Sequence, residues 1–423
     1  MESTSYANLL LVVAAALVAP LLLGCVPGLR LPVAVVEILI GIVIGPSGLR
    51  LATIDSTVAV LALLGFAFLL FLAGAEIAFE TLGRLIVPAI LSFAISLGLA
   101  MLVGYGFQAL GLISTPLFIA IALAATALGI VVSVLAGVSQ THTTFGQLVI
   151  AGASVADFGT VILLTLFFSR QESGTGVQLL LVGELALLAV VVMLAVRQAE
   201  LWERLRTFFA GLDTGTAQVR IRAALLLLVG FAALAERLGL EVILGAFLAG
   251  AILTLVDREG SIGHEAFRQK LSGIGYGVFI PIFFVASGMR FSVGALLGDR
   301  ASLLLVPLLL AALLLVRGLP ALLYRSLLGG RRAIAAGLLQ ATSLPFILAA
   351  VQIGTDQHLI GQAVGAALIF AGLLSVLLFP LAAVALLPAL AASDATADAV
   401  RGGAAGALTE GERRWIVSEA SAP

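Results

Sequence analysis

The feature that most limits what this chain can fold into is a succession of apolar runs that fills it from residue 7 to residue 389, broken only by short polar segments. The runs are 7–24, 31–47, 56–78, 85–107, 115–138, 145–168, 177–196, 219–236, 239–256, 271–289, 301–324, 332–353 and 359–389. A helix needs about 20 apolar residues to cross the hydrocarbon core of a bilayer, so these runs predict about thirteen membrane-crossing helices. An outer-membrane barrel would instead show ten-residue units of alternating polarity, and none is present. Charged residues make up only 11% of the chain, against about 25% in a soluble domain. The expected fold class is therefore an all-α polytopic membrane protein whose solvent is lipid.

The same sparseness of polar groups excludes several kinds of chemistry. A net charge of −1 points to no nucleic-acid partner, and the single Cys25 excludes an internal disulfide framework. Histidines at 142, 264 and 358 are too scattered for a His-rich metal centre. There is no P-loop, no H-E-x-x-H, no dinucleotide fingerprint and no G-x-S-x-G elbow. Neither an enzyme nor a cofactor is expected, and no metal beyond a transported monovalent cation.

The first run ends Leu22-Leu23-Gly24-Cys25, which imitates a lipoprotein cleavage box, but Met1 to Asn8 contains Glu2 and no basic residue. A secretory signal carries a basic leading segment, so this run reads as the first span. Beyond about residue 390 the composition turns to Ala, Gly, Asp, Glu and Arg, and a short, disordered polar tail over 391–423 is expected after a transmembrane domain over 1–390. With thirteen spans, 16 of the Lys and Arg residues fall in the loops of one side and 5 in those of the other, with Arg317 left inside a span. The positive-inside rule then predicts an outer N-terminus and a cytoplasmic C-terminus in a bacterial inner membrane.

Two spans share a pattern that is out of place in a plain hydrophobic helix. Ala125-Thr126-Ala127-Leu128-Gly129 in the fifth span and Ala341-Thr342-Ser343-Leu344-Pro345 in the twelfth both set hydroxyls beside a helix breaker. The second lies seven spans after the first, an odd step, so the two segments cross the membrane in opposite directions. Inverted repeats with interrupted helices are a mark of secondary transporters, because unwound backbone there offers carbonyls and helix ends to an ion. The plainer reading is that Thr and Ser bond back into their own helices and Gly aids packing. Gly129, Thr342, Ser343 and Pro345 are the candidate broken-helix elements.

Ionisable residues inside spans cost about 2.5 to 3.5 kcal/mol each on insertion scales, so each is a functional candidate. Asp157, near the middle of the sixth span with Ser154 one turn before it, is too deep and too short to reach either surface. A carboxylate there can hold either a proton or a cation. Glu184 in the seventh span and Arg317 in the eleventh are oppositely charged and suggest a pair, although Arg317 could also extend toward the surface. Glu37 and Glu76, near the cytoplasmic ends of the second and third spans, could line a vestibule that draws in cations or simply solvate helix ends.

Several stretches resemble the monovalent cation:proton antiporter superfamily. They are Pro32 to Ser47 (PVAVVEILIGIVIGPS), Phe71 to Glu76 (FLAGAE), Gly239 to Gly250 (GLEVILGAFLAG) and Phe283 to Met289 (FFVASGM). The resemblance is strongest to the branch of the Kef potassium-efflux systems and the thirteen-helix sodium/proton exchangers, and it covers residues 7 to 389. It implies a dimerisation domain, a core with two crossed, broken helices, and a homodimer. It also implies that Asp157 is the ion- and proton-binding carboxylate, that Thr126 lies in the unwound segment beside it, and that Arg317 is the basic residue preceding the second broken helix. Members of the superfamily carry Asp, Asn or Gln immediately before the essential Asp, whereas Ala156 stands here; Kef proteins carry a Glu where this chain reads Ser343-Leu344-Pro345-Phe346. A Kef-type regulatory nucleotide-binding domain after residue 390 is not expected. The resulting expectation is an electroneutral exchanger of Na⁺ or K⁺ for H⁺, working by alternating access with Asp157 as the shared site. The alternatives are an organic-anion carrier on the same fold, and a gated K⁺ pathway or non-transporting sensor.

Overall fold

The structure is a computed structural model, and it describes residues 6–25, 32–76, 79–141, 143–168, 218–256, 264–298 and 300–387, with single helical positions at 176, 180, 183, 187 and 190. Every regular element among the described residues is helical. In chain order these are α1 (Tyr6–Cys25), α2 (Val33–Ile44), α3 (Ser56–Ala75), α4 (Phe79–Ala109), α5 (Pro116–Ala124), α6 (Leu128–Gly137), α7 (Thr144–Phe168), α8 (Val219–Arg237) and α9 (Val242–Val256). There follow α10 (His264–Ile274), α11 (Ile280–Arg290), α12 (Val293–Leu297), α13 (Arg300–Leu313), α14 (Arg325–Leu328), α15 (Gly330–Gln340), α16 (Pro345–Asp356) and α17 (Gln362–Leu386). Nine helical stretches among the described residues, several of them joining consecutive elements across a break or a π-turn, are long and apolar enough to cross a membrane, and two shorter apolar helices accompany them. The chain is a multi-pass membrane protein.

The expected runs and the observed helices differ where apolarity alone is a poor guide. The expected span 271–289 belongs to a helix that already begins at His264, because its first part, with Arg268 and Lys270, is amphipathic. At 12 residues α2 is about 18 Å long, short of the roughly 30 Å hydrocarbon thickness. The seventh expected span, 177–196, lies largely outside the described residues.

The helices pack as two bundles. One joins α1, α2, α3, α8, α9, α10 and α11; the other joins α4 to α7 with α13, α15, α16 and α17. Small residues let backbones of the first bundle touch, as van der Waals packing in lipid requires. A Cβ on Gly250 would collide with the Phe71 carbonyl oxygen and one on Gly74 with that of Phe247, so α3 and α9 approach reciprocally. Gly41 and Gly288 do the same for α2 and α11 against Val285 and Ile38.

Two helices widen into π-turns, Gly275–Phe279 between α10 and α11 and Leu314–Gly318 after α13. Pro281 and Pro320 follow each by two residues. A proline ring clashes with the carbonyl four residues earlier and removes an N–H from the ladder, which favours a local wide turn. These turns set the directions of Tyr276 and Arg317.

Candidate functional site

Two breaks are observed in the second bundle near the expected positions, the first at Ala125 to Ala127, so that Gly129 is the second residue of the restarted helix rather than the breaker. Backbone leaves the helix at Ala125 (φ −74°, ψ 157°) and re-enters at Leu128, and again between Ala341 and Leu344. Pro345 opens α16, a position where its missing N–H costs nothing. The breaks touch: the Ala127 N–H donates to the Thr342 carbonyl at 2.8 Å, and the Thr126 hydroxyl donates to the Gln340 carbonyl at 2.8 Å. Backbone groups freed by each interruption are thus satisfied by the other segment rather than by lipid. Ser375 on α17 completes the second break, accepting from the Ser343 N–H at 3.1 Å and donating to the Ser343 carbonyl at 3.0 Å.

Asp157 is buried on α7 against the first break. Its Oδ2 accepts from the Leu128 N–H at 3.3 Å, and the Thr126 backbone amide lies against the same carboxyl group. Leu128 is the first residue of α6, so the carboxylate occupies the positive end of a half-helix. Ser154 is buried one turn before it and makes no hydrogen bond to it among the described residues. Asp157 is therefore not consumed by a hydroxyl on its own helix.

Arg317 is 1% exposed, which excludes extension to the surface. Its Nε donates to the Thr126 hydroxyl at 2.8 Å, Nη1 to the Ser96 hydroxyl at 3.0 Å and Nη2 to the Gly152 carbonyl at 3.3 Å. One guanidinium thereby joins α4, the first break and α7. All three acceptors are neutral. Glu184, its expected partner, lies outside the described residues.

Glu76 caps α3 and belongs to the first bundle, yet it faces the second. Its Oε2 stands 3.4 Å from where a Cβ on Gly129 would be. Glu37 is buried on α2 and has no hydrogen bond to the crossing among the described residues. The structure thus gathers Asp157, Thr126, Arg317, Thr342 and Ser343 around one point and brings Glu76 to its edge at Gly129. Ser96, Gly152, Gln340 and Ser375 take part as well and were not picked out from sequence. The available signals were the i, i+4 serines 92 and 96 in an apolar helix, a Gln directly preceding the second breaker motif, and a lone Ser in the last span.

Comparison with known proteins gives this arrangement a family. The profile described as "Sodium/hydrogen exchanger, transmembrane" matches residues 13–388. The Na⁺/H⁺ antiporter YjbQ of Bacillus subtilis is 32% identical over 90% of this chain and 63% of its own length; the chain therefore spans less than two thirds of that relative. Na⁺/H⁺ antiporter 3 of Methanocaldococcus jannaschii is 30% identical over 76% of this chain and 82% of its own. Among solved structures, the sodium proton antiporter MjNhaP1 from Methanocaldococcus jannaschii matches with a TM-score of 0.62 at 17% identity, covering 89% of this chain and 96% of that one. With that fold and three quarters or more of the chain aligned to these relatives, the chain belongs to the transmembrane sodium/hydrogen exchanger family.

Proposed function

We propose that the chain exchanges a monovalent cation, Na⁺ or K⁺, for a proton, with Asp157 as the single site for which the two compete. The observation that carries this reading is the seat of Asp157: a buried carboxylate at the crossing of two interrupted helices, held by the Leu128 N–H. A carboxylate in lipid is stable once loaded with a proton or a cation and costly when bare, so only the loaded site crosses easily, and the two ions become coupled. Ala156 offers no second carboxylate, which supports one-for-one, electroneutral exchange. Arg317, hydrogen-bonded to Thr126, supplies the positive charge that tempers the empty site.

Access alternates between the two sides as the bundle carrying the breaks moves against the other, with Glu76 and Glu37 drawing cations toward the inner mouth. The first bundle provides the dimer contact of a homodimer. The N-terminus lies outside, the C-terminus and the 391–423 tail in the cytoplasm, and the membrane is a bacterial inner membrane. The test is collapse of a pH gradient in proteoliposomes on adding Na⁺ or K⁺. Asp157→Asn should abolish it, and undiminished exchange in that variant would refute the assignment. Electroneutrality fails if a valinomycin-set potential changes the exchange rate.

A further inference from the structure

Where the two bundles face each other beside Asp157, a tyrosine stands that the exchange reading does not use. Tyr276 lies in the π-turn Gly275–Phe279 of the first bundle, with glycines on either side. Its residue is about half exposed, yet its hydroxyl points inward: a methyl group on Gly129 would stand 3.4 Å from it and 3.4 Å from Glu76 Oε2. Two groups, the Tyr276 hydroxyl and the Glu76 carboxylate, thus converge on the first turn of α6 at Gly129, one residue beyond the Leu128 N–H that holds Asp157. Glu76 Oε2 is buried and has no hydrogen-bond partner among the described residues. A small cavity of about 30 Å³ opens at Glu76, lined also by Ala75, Thr254, Ser272 and the cationic Arg268 but not by Tyr276 or Gly129. That volume accommodates one water molecule.

We propose that the Tyr276 hydroxyl is a relay ligand: it takes a cation from Glu76 on the first bundle and hands it past Gly129 to Asp157 on the second. This rests on Asp157 being the site. A phenolic oxygen suits the task because it coordinates a hard cation without adding charge, so the carboxylate count of the loaded site is unchanged. Gly129 suits it because any side chain there would fill the gap the ion must cross. Tyr276 is then specific to the cation, since a proton can travel through water and does not need an oxygen of fixed position.

The test uses the full-length chain in proteoliposomes, with Na⁺ and K⁺ as separate probes and the cation KM, proton dependence and kcat measured together. Tyr276→Phe keeps the ring and its packing and removes one neutral oxygen, which should raise the cation KM about 5-fold while the proton dependence stays as in the parent. Gly129→Val should block both cations. Asp157→Asn runs in parallel: exchange surviving in that variant removes the underlying site, whereas its loss together with an unchanged cation KM in Tyr276→Phe overturns the relay alone. A Tyr276→Phe variant whose cation and proton parameters move in equal measure also overturns it, because that outcome marks a structural role.

Discussion

Neutralising Asp157 should destabilise the protein by stranding Arg317. The guanidinium is buried and its hydrogen bonds go to two hydroxyls and a carbonyl, so no directly bonded carboxylate offsets its charge among the described residues. Arg317 bonds Thr126 and Asp157 bonds Leu128, which sets both charges on the first break. Two unit charges about 7 Å apart attract by about 2 kcal/mol at an effective dielectric near 20, which sets the scale of the coupling. The assay is thermal unfolding in detergent, at alkaline pH without Na⁺ or K⁺, of the parent, Asp157→Asn, Arg317→Leu and the double variant. Arg317→Leu alone should change stability little, because three membrane hydrogen bonds of about 0.6 kcal/mol each are lost while the cost of burying a charge is relieved. Asp157→Asn should lose that attraction of about 2 kcal/mol, offset in part by relief of its own buried charge, and the double-variant cycle should show a coupling of about 2 kcal/mol between the two changes. In acid, a protonated Asp157 carries no charge, so the coupling should shrink. Additivity of the two changes within about 0.5 kcal/mol at alkaline pH would show that the two charges do not interact and would refute the electrostatic reasoning.

Other consequences can be checked independently. Competition for one carboxylate requires the apparent KM for the cation to rise as pH falls, approaching tenfold per pH unit where the proton is the bound ion, with saturating rates unaffected; a KM flat across pH 6 to 9 counts against a shared site. Ser375→Ala removes both partners that Ser375 gives Ser343 and should cost about 1–3 kcal/mol of thermal stability, whereas replacing the lipid-facing Leu378 by Ala should cost less. Gly250→Ala pushes a methyl group into the Phe71 carbonyl and should destabilise by about 1–3 kcal/mol, read as a lowered midpoint of aggregation on heating.

The all-helical, multi-pass character was legible in the sequence because lipid imposes one rule, that backbone polar groups be satisfied within the segment, and apolar length follows directly from it. The burial of Asp157 was legible for the same reason: an acid so far from both ends of its span has no cheap route to water. The breaks were legible because hydroxyls next to Gly129 and Pro345 disturb an otherwise uniform pattern. What could not be read was which partners tertiary contact would supply. Thr126 is held by Arg317 from 191 positions away and by the Gln340 carbonyl from 214, and no local pattern encodes either. Tyr276 was hidden by another effect. Its direction depends on a π-turn ahead of Pro281, and helical periodicity counted at 3.6 residues per turn loses phase there. The glycines of the family-like stretches, Gly41, Gly250 and Gly288, were visible as motif letters, but their work as contact points for a neighbouring carbonyl emerges only when the helices are packed.

The most direct measurement is ion-driven collapse of a preset pH gradient in proteoliposomes, comparing the parent chain with Asp157→Asn at matched incorporation. If Asp157 is the shared site, Na⁺ or K⁺ dissipates the gradient in the parent and leaves it intact in the variant. Equal dissipation in both would contradict it.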